Sequence, residues 1–222
     1  MTRIYLVRHC EAIGNIKQIF QGTTDMDITD LGQQQLNALK KRFDSIKLDR
    51  VLSSPLIRTK KTAKAIIGDK NLKLETDDGL IEINGGVIEG KPFSESFKKY
   101  PSLLETWAKR PHEFAPEGGE SYKETYERIW KTIKRIAADN KGKTIACATH
   151  GGVTRCLICR LLYNDITELI NTPYFANTAV SLIEFDDDLN PKLIFYNDYS
   201  HLPQELINRL SRIVVNVEED VK

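Results

Sequence analysis

No stretch of the 222 residues stays apolar over the ~20 positions a membrane span requires. Nor is there an excess of one charge, because 32 Lys and Arg stand against 31 Asp and Glu, a formal net charge of +1. Nucleic acids and anionic membrane surfaces both favour a concentrated basic field, so neither is expected as a partner. The opening MTRIYLVRH is too short and too soon interrupted by charge to read as a secretory leader. Cysteine is sparse: Cys10, Cys147, Cys156 and Cys159 form no regular framework, which favours reduced thiols and a cytoplasmic address. Cys156 and Cys159 are spaced as C-x-x-C, but further ligands at suitable spacing are missing. The surrounding TRCLICRLL reads as an apolar helix, so both are expected to be buried structural thiols, with no metal bound.

What remains is an ordinary globular balance, 41% hydrophobic and 28% charged, in a chain long enough to bury a core without staples. IYLV (4–7), RVLS (50–53), Leu72 to Glu75 and TIACAT (144–149) read as strands. AVSLIEF (179–185) and KLIFYN (192–197) flank an Asp-rich turn and predict a hairpin. Between them lie helical patterns. One is capped by Thr29 and carries Leu31, Leu36, Leu39 and Phe43; another has Pro55 in its first turn and stops at Gly68. Others open at Ser121 and at Gly151, and the tail from Pro203 is expected to be helical before it frays. The alternation predicts an α/β fold, a mainly parallel central sheet flanked by helices on both faces. The stretch from about 79 to 120, rich in proline and glycine, is read as a small helical cap excursion with helices around Phe97 and Leu103. No boundary divides residues 1–222, which are taken as a single domain.

Two of the strands end alike, IYLVRH at His9 and TIACATH at His150. Ligands of open α/β sheets bind outside the carboxyl ends of the strands, so these two imidazoles can converge on one pocket. Arg8 precedes His9, Asn15 follows it by six residues, and SSPLIRTKKTA puts Arg58 on the first turns of a helix leaving the same edge. Gly151 and Gly152 allow close backbone approach to an oxyanion at a helix amino terminus. Two guanidiniums, two imidazoles, an amide and backbone N–H donors make an anion trap, and forked arginine donors suit phosphate oxygens.

LVRHCEAIGN resembles the signature of the histidine phosphatase superfamily, the phosphoglycerate mutase-like branch, whose usual form is LVRHGETxxN. The likeness continues through FQGTTDMDITDLGQQQ, SSPLIRTKKTA, LIEINGGVIEG, PEGGES, ATHGGVTR and the late SHL at Ser200 to Leu202. It implies that His9 is the nucleophile that becomes phosphohistidine, with Arg8, Arg58 and His150 holding the phosphoryl oxygens. Gly151 would offer its N–H, Asn15 would assist, and Gln21, Gly22 and Thr23 would line the pocket mouth. Glu82 would protonate the leaving oxygen and then activate water; without the resemblance it is one of 31 acidic residues, with Glu11 and Glu89 as competitors. No metal and no cofactor are implied.

Position 10 is Cys where the family usually has Gly, which raises two questions: whether the loop geometry tolerates a side chain, and whether Cys10 near two arginines is a thiolate-prone switch. Gly86 and Ile88 stand where bulky residues are usual. His201 is read as structural and His112 as exposed. The segment EGKPFSESFKKYPSLLETW is compact, with Lys91, Lys98 and Lys99 compatible with a solvated helix, and resembles phosphatases more than mutases. The expected activity is that of a metal-independent phosphomonoesterase acting on a small phosphorylated metabolite. A cofactor-dependent phosphoglycerate mutase and a non-catalytic phospho-ligand binder are the alternatives. Sugar phosphates, phosphoglycerate, nucleotide monophosphates and ribazole phosphate are all candidate substrates, and monomer and homodimer are both left open.

Overall fold

In the computed structural model, which describes residues 1–207, six strands form one sheet. They are β1 (Thr2–Arg8), β2 (Arg50–Ser53), β3 (Leu74–Thr76), β4 (Thr144–Thr149), β5 (Val180–Phe185) and β6 (Pro191–Asp198), in the order β3-β2-β4-β1-β5-β6. β1, β2, β3 and β4 pair in parallel, whereas β5 runs antiparallel to both β1 and β6. The sheet is therefore mainly parallel, with the expected hairpin forming one side. The third strand lies slightly later than the sequence suggests.

Alternation along the strands divides the core in two. On β1 and β4, Ile4, Leu6, Ile145 and Cys147 face one layer, while Val7, Ala146 and Ala148 face the other. The first layer is closed by α6 (Tyr122–Asp139) and α7 (Gly151–Tyr163), whose Ile129, Ile133, Ile136, Val153 and Leu157 are buried. The second is closed by α2 (Asp30–Phe43) and α3 (Ile57–Ile67), through Leu36, Leu39, Phe43, Ala63 and Ile66. Each of the larger of these side chains contributes roughly 1.5–3 kcal/mol by leaving water, which fixes the helices against the sheet.

Local signals set the helix starts. The Thr29 hydroxyl accepts the Gly32 N–H at 3.0 Å. Ser121 and Glu124 form a reciprocal capping box. α3 begins later than expected: Leu56 is its N-cap, so Pro55 lies just outside the first turn. The excursion carries α4 (Phe93–Lys99) and α5 (Pro101–Lys109), near the expected places, and α1 is a single turn at Ile13–Ile16. After Pro203 only a short 3-10 turn at Gln204–Leu206 is seen. The rest of the tail expected to be helical lies outside the described residues.

Candidate active site

Parallel pairing of β1 with β4 sets Arg8 opposite Thr149, and the His9 N–H donates to the Thr149 carbonyl at 2.9 Å. The two histidines that follow these strands are thereby brought side by side. Their ring centroids are 5.3 Å apart at an interplanar angle of 64°. Both rings are buried. Burial first, and then the Arg58 charge, holds both imidazoles well below the usual histidine range. Both are neutral at pH 7.

The tautomer of His9 follows from its partner. Nδ1 lies 2.6 Å from the Cys10 carbonyl oxygen, which can only accept, so Nδ1 carries the proton and Nε2 presents a lone pair. His150 Nε2 lies 2.8 Å from the Ser54 hydroxyl, while His150 Nδ1 is buried without a partner.

Arg8 sends Nη1 to the Phe175 carbonyl, and its Nε is buried without a partner. Burial lowers its pKa to about 10, partly offset by Glu82. Arg58 is fully buried on the first turn of α3. It donates to the carbonyls of Thr24 (2.9 Å), Gln21 (2.7 Å) and Gly22 (3.0 Å), and its Nε too is left without a partner. Glu82 sits at the start of α7, accepting from the N–H groups of Gly152 and Val153, both at 3.0 Å, and of Ile83 at 3.1 Å. A helix amino terminus is a natural seat for a carboxylate. Gly151 leaves room for Arg8, whose Nε would stand 3.1 Å from a Cβ there.

These groups border a cavity of about 840 Å3, measured out to its open mouth. Arg8, His9, Asn15, Gln21, Glu82 and Gly151 line it. Arg58 and His150 stand behind this lining. Gly22 and Thr23 do not border the cavity: the Gly22 carbonyl faces Arg58, and Thr23 is exposed. The competitors for Glu82 are occupied elsewhere. Glu89 accepts from Thr24 and Gly85, fastening the 21–24 loop, and Glu11 accepts the Thr29 hydroxyl.

Residues 4–198 match the family model for the histidine phosphatase superfamily, branch 1. The chain belongs to the histidine phosphatase superfamily. It is 32% identical over 190 residues to phosphoserine phosphatase 1 of Hydrogenobacter thermophilus, spanning 86% of this chain and 90% of that one. It is 31% identical over 166 residues to the 2,3-bisphosphoglycerate-dependent phosphoglycerate mutase of Mesorhizobium japonicum, spanning 71% and 80%. Among solved structures, YhfR of Bacillus stearothermophilus superposes with a TM-score of 0.86 at 29% identity, covering 90% of this chain and 99% of that one.

The departures from the histidine phosphatase signature have local explanations. Cys10 does not adopt the left-handed backbone that would require glycine. It is fully buried in the second core layer, and burial pushes its thiol up to about 12. The thiolate switch is therefore corrected to a space-filling thiol. Gly86, by contrast, has φ +51°, and a Cβ there would stand 2.1 Å from the Glu117 carbonyl oxygen. Ile88 fills the first core layer. His201 bridges Arg42 and Thr178, a structural position as expected. His112 is only partly exposed. Cys156 and Cys159 are buried and free.

Several residues at the site carried no functional signal in the sequence. Ser54 lies inside the SSPLIRT block but shows its purpose only through His150. Tyr174 and Phe175 come from a loop, NTPYFANT, to which no role was assigned. That loop buttresses the end of β1, because the Thr178 N–H donates to the Arg8 carbonyl at 3.1 Å and the Asn177 amide donates to the His9 carbonyl at 2.9 Å.

Proposed function

We propose that this phosphoric monoester hydrolase works through a phosphohistidine on His9, with no metal ion or organic cofactor in the reaction. One observation carries the reading. Three buried nitrogens, Arg8 Nε, Arg58 Nε and His150 Nδ1, the last a donor when the Ser54 hydroxyl donates to His150 Nε2, are left without partners around a neutral imidazole whose Nε2 is free to attack. Buried donors are rarely left unpaired, and a phosphoryl group would satisfy all three. Because the transition state of phosphoryl transfer spreads charge over its equatorial oxygens, such positioning supplies most of the acceleration.

In the first step His9 Nε2 attacks phosphorus, the P–O ester bond breaks, and the leaving oxygen takes a proton from the Glu82 carboxyl group. In the second step Glu82 takes a proton from water. The oxygen attacks phosphorus, the N–P bond breaks, and inorganic phosphate leaves with His9 restored. Asn15 and Gln21 sit on the cavity wall, where they can bind the ester. Lys91, Lys98 and Lys99 do not line the cavity, so they do not supply the additional cations a mutase uses for a second anionic group. Among the described residues no helix is long and apolar enough to cross a membrane, and four free, buried thiols support a cytoplasmic setting.

The deciding experiment measures phosphate release from a panel of phosphomonoesters in EDTA. Wild type is expected to turn over, while His9→Ala loses roughly 10^3-fold or more. Rapid acid-free quenching of Glu82→Gln with a labelled aryl phosphate, whose phenolate leaves without a proton, should trap a phosphoryl group that is base-stable and acid-labile on the His9 peptide. Metal-dependent turnover, or full activity in His9→Ala, would overturn the proposal.

A further inference from the structure

Much of the cavity's lining is aromatic. Phe20, Phe93, Trp107, Tyr122, Tyr174 and Phe175 all border it. Phe20 meets Phe93 edge-on at 5.9 Å and Trp107 at 5.8 Å; Trp107 lies 6.0 Å from Phe93 and 5.9 Å from Tyr122. Phe20 comes from the 19–24 loop, Phe93 from α4, Trp107 from α5, Tyr122 from the start of α6, and Tyr174 and Phe175 from the 171–178 loop, so the excursion that follows Glu82 supplies part of this wall. Such a surface binds flat or apolar groups through burial and ring contacts.

The charge inventory sharpens this. Among the described arginines and lysines, Arg8 alone lines the cavity. The phosphoryl group uses it, and Glu82, the acid for the leaving oxygen, brings no positive charge. A second anion on the substrate would therefore be desolvated without a cation to meet it, which is costly. The next guanidinium is that of Arg155, which is buried. Its Nε donates to the Thr172 carbonyl at 2.8 Å and its Nη2 to the Leu169 carbonyl at 2.5 Å. Tyr174 covers it, with the ring centroid 4.2 Å away. Its Nη1 has no partner, so Arg155 is the group a substrate carboxylate would have to recruit, by displacing Tyr174.

We infer that the substrate is the phosphomonoester of an alcohol bearing an aromatic or extended apolar group, without a carboxylate or second phosphate. The inference rests on the phosphatase reading above and concerns only what the leaving alcohol carries.

The test compares three alkyl esters of similar leaving-group chemistry: 2-phenylethyl phosphate, O-phosphoserine and glycerol 3-phosphate. Wild type should favour the phenylethyl ester in kcat/KM by at least about tenfold. Trp107→Ala should narrow that ratio at least about fivefold, through KM. Trp107→Leu, which keeps apolar volume should the alanine variant fail to fold, should narrow it less. Release from all three esters without preference overturns this inference and leaves the phosphatase reading standing. Preference for O-phosphoserine overturns it too, and loss of that preference in Arg155→Lys would place the carboxylate on Arg155. Release from none of the three overturns both readings.

Discussion

Lowering the pH should destabilise this protein by an amount that two histidines largely set. His9 and His150 are held neutral by burial and by the Arg58 charge, whereas in the unfolded chain each titrates near ~6.5. Between the depressed folded value and ~6.5 the unfolded state binds more protons, so stability falls as pH falls through that window. At pH 5.5 the unfolded histidine is about ten parts protonated to one neutral, and at pH 7.5 the ratio is reversed. For a histidine that stays neutral in the folded protein across this window the linkage integral is on the order of 1 kcal/mol, or on the order of 3 kcal/mol for the pair. Urea unfolding followed by circular dichroism at both pH values measures it. A His9→Asn/His150→Asn double variant should lose less stability than wild type on acidification, by up to about 3 kcal/mol, whatever its absolute stability. His201, lowered to about 4 by burial and Arg42, contributes to both proteins and cancels. An equal loss in the two would show that burial and Arg58 do not hold the pair neutral.

Two further perturbations probe the surroundings of the site. Cys10, with its thiol raised to about 12 in the core, should resist iodoacetamide and peroxide in the native protein and react only after denaturation; native labelling with loss of activity would restore the switch. Gly22→Ala places a Cβ 2.0 Å from the Ile83 carbonyl oxygen, backbone against backbone. It should cost about 1–3 kcal/mol and lower kcat/KM, because the loop that receives Arg58 must shift; unchanged melting and turnover would refute that.

The chemical centre was legible because it is local in sequence. Arg8 and His9 end one strand, His150 ends another, and Arg58 follows a third, each inside a distinctive string whose strand-end placement is itself a functional signal. Glu82 was legible only by resemblance, since nothing in LIEINGG shows that its carboxylate will seat on the first turn of α7. The antiparallel placement of β5 beside β1 could not be read, because an apolar strand pattern carries no direction. The aromatic wall was invisible for a related reason. Its rings are spread from Phe20 to Phe175, each reading as ordinary core, and only the fold as a whole gathers them. Thr23, in a matching block, is exposed, while the carbonyls of its neighbours Gln21, Gly22 and Thr24 receive Arg58.

The carbonyls of Gln21, Gly22 and Thr24 all end on the Arg58 guanidinium, and Glu89 ties the same loop to Gly85. Arg58 is thus held by backbone atoms, which every residue type supplies. Side chains at positions 21 and 23 can be exchanged without loosening that arginine, provided the loop keeps its path; the Thr24 hydroxyl, which donates to Glu89, helps to hold that path. The selectivity of the entrance is therefore free to diverge between descendants of this chain while the reaction it guards is inherited intact.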